Sequence, residues 1–134
     1  MDKEEIIEKL EKFPYDTREY WINAGSAMVM HGLRENTEDI DLGCTSALAD
    51  LLEASGHLCG TGEGGRRRFR YGESIELSEN WMYDGTERID GFRVLTLRGL
   101  LIQKQLLGRE KDAKDLVLIL RRIEEDGNGG QEQR

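Results

Sequence analysis

The spacing of apolar residues changes several times along the chain, and each change predicts an element. Ile6, Ile7, Leu10 and Phe13 recur at helical spacing behind Asp2-Lys3-Glu4-Glu5, a capping-box pattern, so an amphipathic helix is expected there, ended by Pro14. Tyr20-Trp21-Ile22 reads as a short strand that runs through Gly25-Ser26 into a small-residue helical stretch from Ala27 to His31. Asp39-Ile40-Asp41-Leu42 alternates charge with aliphatic residues at period two, the mark of a strand with one polar and one buried face. Ser46 is read as the cap of a helix from Ala47 to Ala54 with Leu48, Leu51 and Leu52 inward and Gly56 at its end.

Downstream, Gly60 to Gly65 reads as a flexible loop. It has neither the Lys-Ser/Thr of a P-loop nor a GxGxxG after a strand. Arg66 to Tyr71 and Ser74 to Ser78 flank Gly72-Glu73 as the arms of a hairpin. A short strand from Phe92 to Leu95 precedes two helices, Thr96 to Leu107 and about Lys111 to Ile123, separated by Gly108. The order predicts an α+β fold, a small mixed β-sheet flanked by helices, as one domain over residues 1–125 with a disordered tail over 126–134.

Composition changes that picture only in part. The 134 residues suit a single domain, with 37% apolar residues for one modest core. A formal net charge of −8 argues against extended nucleic-acid coating, although clustered carboxylates are what gather Mg²⁺. Cys44 and Cys59 show no pairing pattern, and with His31 and His57 they make no zinc spacing. With charged residues at the start and no apolar run of membrane-spanning length, the expectation is a cytoplasmic protein without membrane contact.

Three groups of residues carry candidate chemistry. Asp39 and Asp41, two apart on a strand, leave the same face with Cα atoms roughly 6–7 Å apart. They are either a solvated strand face or a cation site, since paired carboxylates repel unless a cation lies between them. Twelve residues separate Ser26 from Asp39, and the Gly25-Ser26 turn offers backbone N–H groups and a hydroxyl to an anion. Lys104 interrupts the stripe Leu97, Leu100, Leu101 and Leu107, as either a buried ammonium that needs a counter-charge or a lysine snorkelling at the stripe's edge.

Taken together, the stretch from Ile22 to Arg34 with Thr37, Asp39, Ile40, Asp41 and Leu42 resembles the DNA polymerase β-like nucleotidyltransferase superfamily. Its pattern is a hydrophobic residue, Gly, Gly or Ser, a spacer of around a dozen residues, then Asp-hydrophobic-Asp/Glu-hydrophobic. The likeness is to the small bacterial branch, with its lincosamide and aminoglycoside nucleotidyltransferase-like proteins and abortive-infection toxins. It extends over about residues 20 to 120, through Ile75-Glu76-Leu77, which matches the family's third carboxylate, and Lys104, Arg109 and Lys111 to Asp115. The third acid is Glu here where many members have Asp, and Glu73 is the fallback if the register is shifted.

The resemblance implies a nucleotidyltransferase fold and Mg²⁺-dependent transfer of a nucleoside monophosphate from an NTP, such as ATP, to a hydroxyl of an unknown acceptor. It implies two Mg²⁺ ions on Asp39, Asp41 and Glu76 as the catalytic and metal residues, with Gly25, Ser26 and Lys104 binding nucleotide. Larger members recognise acceptors with an added domain, so a second copy or a partner protein is expected to complete the site. The competing expectation is a nucleotidyltransferase-fold binding module or toxin–antitoxin component that acts through a partner.

The remaining candidates have double readings. Arg66, Arg68 and Arg70 share one strand face opposite Arg67, Phe69 and Tyr71, either contacting phosphate or an acidic acceptor or pairing with surface carboxylates; Glu76 itself could oppose Arg68 or Arg70. Asp112 and Asp115 are expected in the first turn of the last helix, paired with Arg109 or Lys104. His31 is read as a helix-end residue. Trp21, Trp81 and Tyr83 are read as core or rim, with Trp81 or Tyr83 able to stack on a base.

Overall fold

A computed structural model describes the backbone of residues 1–132 and the side chains through Gly127. Helix α1 (Lys3–Glu11) is capped as its sequence predicts: the Asp2 carboxylate accepts from the Glu5 amide at 2.9 Å, and the Glu5 side chain accepts from the Asp2 amide at 3.3 Å. It buries Ile6 and Leu10. Strand β1 (Tyr20–Asn23) is buried along its whole length and passes directly into α2 (Ala24–Met30).

A seven-stranded mixed sheet follows from the alternating segments. In chain order its other strands are β2 (Ile40–Cys44), β3 (Leu58–Thr61), β4 (Arg67–Tyr71), β5 (Ile75–Glu79), β6 (Thr86–Ile89) and β7 (Phe92–Leu95). Their order across the sheet is β3-β4-β5-β2-β1-β7-β6. Pairs β2–β5 and β1–β7 are parallel, and the rest are antiparallel.

Period-two alternation turns into two transverse rows of side chains. Phe69, Leu77, Leu42, Ile22 and Val94 are successive register partners across five strands, and all are buried. This apolar row packs into one core with Ile6, Leu10 and Phe13, with Met28 of α2, and with Leu48 and Leu52 of α3 (Ser46–Ala54). One residue along, the opposite face carries Arg70, Glu76, Asp41 and Asn23, again in register. A single alternation therefore places the core and the polar site back to back.

Helix α4 (Leu97–Leu107) is capped by Thr96, whose hydroxyl accepts from the Gly99 amide at 3.0 Å, and ends at Gly108 in a left-handed conformation (φ 57°). A 3₁₀ turn, Glu110–Asp112, leads into α5 (Ala113–Glu132), which packs on α4. Among the described residues no helix is long and apolar enough to cross a membrane.

Several expectations are corrected here. Thr45, not Ser46, caps α3, its hydroxyl accepting from the Leu48 amide at 3.2 Å, and Leu51, expected inward, is 58% exposed while Leu48, Ala49 and Leu52 face inward. The loop expected from Gly60 onward begins with β3, whose four residues are all exposed and so carry no alternation. Strand β6, a charged edge, was not anticipated. Asp112 lies in the 3₁₀ turn before α5, leaving only Asp115 in that helix's first turn. Helix α5 is described through Glu132, and residues 133–134 of the expected tail lie outside the described residues.

Candidate active site

Asp41 stands at the centre of the polar row, with Glu76 beside it on β5 and Asn23 on β1. Asp39 immediately precedes β2. Burial, then the charges of Glu76 and Asp39, push the Asp41 carboxyl up from its ordinary 3.8 to about 6. A negative charge is thus held where it is costly, a cost that a bound cation would remove. Glu76 does not lean on Asp41; its carboxylate accepts from Arg70 Nη1 at 2.7 Å. Glu73 lies in the hairpin turn, in a separate pocket with Lys9 and Lys12, away from Asp41.

The turn between β1 and α2 supports Asp41 from behind. Ser26 is fully buried; its hydroxyl donates to the Asn23 carbonyl at 2.7 Å and accepts from the Asp41 amide at 3.1 Å. The side chain expected to meet phosphate instead straps α2 to β1 and β2 and fixes the Asp41 backbone. Ala24, just ahead, holds φ 52°, a strained conformation for a residue with a Cβ, at the lip of a cleft. A Cβ at Gly25 would meet Arg34 Nη1 at 2.6 Å and Thr37 Oγ1 at 3.0 Å, so the glycine lets the Arg34 guanidinium lie against the turn.

This first cleft, of about 510 Å³, is lined by Ala24, Gly25, Asp39 and Asp41 on one side and by Arg34, Lys104, Arg109 and Lys111 with Asp112 and Asp115 on the other. Its cations are wired together. Lys104, 5% exposed, lies 3.1 Å from both Asp112 and Asp115. Arg109 grips Asp112 through two nitrogens, at 2.6 and 3.0 Å, and holds that carboxyl down at about 2. Arg34 reaches Asp115 at 2.7 Å. The lysine in the apolar stripe is buried and neutralised, as the counter-charge argument requires, and α4, α5 and the α2–β2 connection are joined through it.

A second cleft, of about 540 Å³, opens on the other side of Asp41 and is lined by Glu76, Ser78, Arg66, Arg68, Trp81, Tyr83 and Gln103, among others. Its aromatic loop is fixed from below. Trp21 Nε1 and Asn23 Nδ2 both donate to the Trp81 carbonyl, at 2.8 and 2.7 Å. Gly43 lets the Trp21 indole lie across the sheet, where a Cβ would come within 2.1 Å of Nε1. Gly99 abuts the Tyr83 carbonyl in the same way.

The structure thus brings Asp39, Asp41, Gly25 and Lys104 to one cleft, and Asp41 with Glu76 to the other. Ser26 lies behind both, and His31, at the end of α2, contacts the Leu95 carbonyl through its ring at 2.9 Å. Among the described residues no three carboxylate, imidazole or thiol groups are already gathered as a metal cage. The donors suit Mg²⁺ in kind, since Asp39, Asp41 and Glu76 offer hard oxygen atoms and the raised Asp41 carboxyl marks where positive charge is wanted. Arg34 and Gln103 were not anticipated. Arg34 pairs 81 positions away, beyond any local pattern, whereas Gln103 stands at i+3 from Leu100, beside Lys104, in the very stripe that signalled the lysine. Compared with known proteins, the chain matches no family model, no curated protein and no solved structure.

Proposed function

We propose that the protein is a nucleotidyltransferase of the DNA polymerase β-like kind, moving a nucleoside monophosphate from an NTP to an acceptor hydroxyl. The observation that carries the reading is the position of Asp41 as the wall between two clefts, one lined by cations and Gly25, the other holding Glu76. The first cleft is the triphosphate side, where Arg109 and Lys111 face the phosphates and Arg34 and Lys104 keep the cleft in shape. Asp39, Asp41 and Glu76 are the residues that would hold Mg²⁺, which when bound neutralises phosphate charge.

The acceptor hydroxyl approaches from the second cleft. Its oxygen bonds to the α-phosphorus, the bond from that phosphorus to the bridging oxygen breaks, and pyrophosphate leaves with the electron pair. Glu76 takes the hydroxyl proton once its carboxylate swings off Arg70. That ion pair joins partly exposed groups and contributes about 0–1 kcal/mol, so its release is a small obstacle.

The test is incubation with each of the four labelled NTPs, Mg²⁺ and a pool of cell-extract acceptors. Pyrophosphate release and label transfer are expected, falling by about 10³-fold or more in Asp41→Asn. Release that survives Asp41→Asn defeats this reading. Tight Mg²⁺–NTP binding without transfer favours the binding-module reading, for which the engagement of Glu76 by Arg70 speaks.

A further inference from the structure

Four arginines occur within the five residues from Arg66 to Arg70, and the strand's alternation divides them. Arg67 is tied to Asp50, Glu53 and Glu79, and Arg70 to Glu76. Arg66 and Arg68 face the second cleft, and among the described residues neither forms an ion pair with a carboxylate. Both guanidinium groups share the cleft with the carboxylates of Asp41, Glu63 and Glu76 without an ion pair to any of them, in a protein of net charge −8.

A second anomaly lies in the opposite wall. Gln103 is 2% exposed, yet neither its amide oxygen nor its amide nitrogen has a hydrogen-bond partner. Buried amides are normally satisfied, and one that is not, in the wall of a cleft, has its partner outside the protein, a bound water or a ligand. The cleft is also bipolar. Arg68 pairs with Ser78, two residues along β5 from Glu76, so its cationic and acidic ends are about 7 Å apart at the backbone. Guanidinium groups fit phosphate oxygens in a planar fork, and a carboxylate fits a hydroxyl that must lose its proton.

From these features we infer that the second cleft takes an acceptor carrying both a phosphate and a free hydroxyl. The phosphate lies against Arg66 and Arg68, the hydroxyl reaches Glu76, and Gln103 reads a polar group between them. This rests on the transferase reading for the role of Glu76, but the phosphate site stands on its own geometry. A polycationic acceptor is disfavoured, because it would bring like charge to the two arginines.

Titration calorimetry on the full chain tests the inference with ribose 5-phosphate, ribose, a short single-stranded RNA bearing a terminal phosphate, and an aminoglycoside. At least one phosphorylated probe binds tenfold or more tightly than ribose, and the better of the two identifies a small molecule or an RNA end as the source of the phosphate. An Arg66→Gln/Arg68→Gln double variant loses that advantage by tenfold or more while its Mg²⁺–ATP affinity stays within twofold. Gln103→Leu weakens binding of the phosphorylated probe with an unchanged or higher melting temperature, a combination that a merely structural glutamine would not give. Equal affinity for ribose and its phosphate, undiminished binding in the double variant, or tighter binding of the aminoglycoside overturns the inference. So does a loss that follows Arg109→Gln/Lys111→Gln instead, which returns the phosphate to the first cleft. If the phosphate dependence holds but no NTP supports transfer, the transferase reading falls and the anion site remains.

Discussion

The two clefts that meet at Asp41 are built on opposite principles. In the first, nearly every cation already has a partner: Lys104 lies between Asp112 and Asp115, and Arg34 and Arg109 hold the far sides of the same two carboxylates. In the second, Arg66 and Arg68 share the cleft with Asp41, Glu63 and Glu76 but form no ion pair among the described residues, and the Gln103 amide has no hydrogen-bond partner. Paired charges fix a shape, and unpaired ones leave interaction free energy for a ligand. The first cleft is therefore a preorganised wall, and the second, on the proposed reading, a surface whose interactions would be completed on binding.

The largest break in that comparison should come from Lys104→Met. Removing the central cation leaves two buried carboxylates facing each other, with Arg34 and Arg109 supporting only their outer sides, and a loss of about 2–4 kcal/mol is expected in urea denaturation. A variant as stable as the wild type would mean the network does not hold the first cleft together. Truncating Arg68, by contrast, should leave stability nearly untouched, since among the described residues it forms no ion pair.

Asp41 sharpens the comparison through pH. Its carboxyl titrates near 3.8 when unperturbed and at about 6 in the folded protein. Between these values the folded state keeps a proton that the unfolded chain has released, so this group favours folding at low pH and that contribution is lost as pH rises through about 6. In metal-free protein, Asp41→Asn should gain on the order of 1–2 kcal/mol over wild type at pH 8, allowing for solvent screening, and the difference should vanish near pH 4. Denaturation curves at the two pH values check this. A constant difference would place the burden on something other than the charge.

A smaller effect than that of Asp41→Asn belongs to Arg70→Gln. Its pairing with Glu76 lies between half-exposed groups, so stability should change by about 1 kcal/mol or less. Freed of its partner, Glu76 should turn toward Asp41 more readily and push its carboxyl higher still. An NMR titration of Asp41 reads this as an upward move, and an unchanged midpoint would show that Arg70 does not hold Glu76 away.

What was legible in the chain was what period and spacing encode. The alternation around Asp41 and Glu76 named two strands, and those strands lie side by side with the two acids in register, a pairing the hairpin at 66–78 alone could not specify. Lys104 betrayed itself by breaking an apolar stripe. Features that arise from geometry across long separations stayed hidden. Ser26 could be read only as a turn hydroxyl, and its burial against the Asp41 amide depends on how β1 meets β2. Strand β3 is exposed at all four positions, so it left no hydrophobic trace. The start of α3 was misplaced by one residue because Thr45 and Ser46 can both cap, and the outward turn of Leu51 depends on packing that spacing alone does not show.

Because one carboxylate forms the partition between the clefts, the two compartments cannot be filled independently. On the proposed reading, whatever compensates the charge of Asp41 on one side compensates it on the other, so the ligands of the two clefts would alter each other's affinity by the same factor, whichever arrives first. A single side chain, strapped from behind by Ser26, makes the two binding equilibria one linked system.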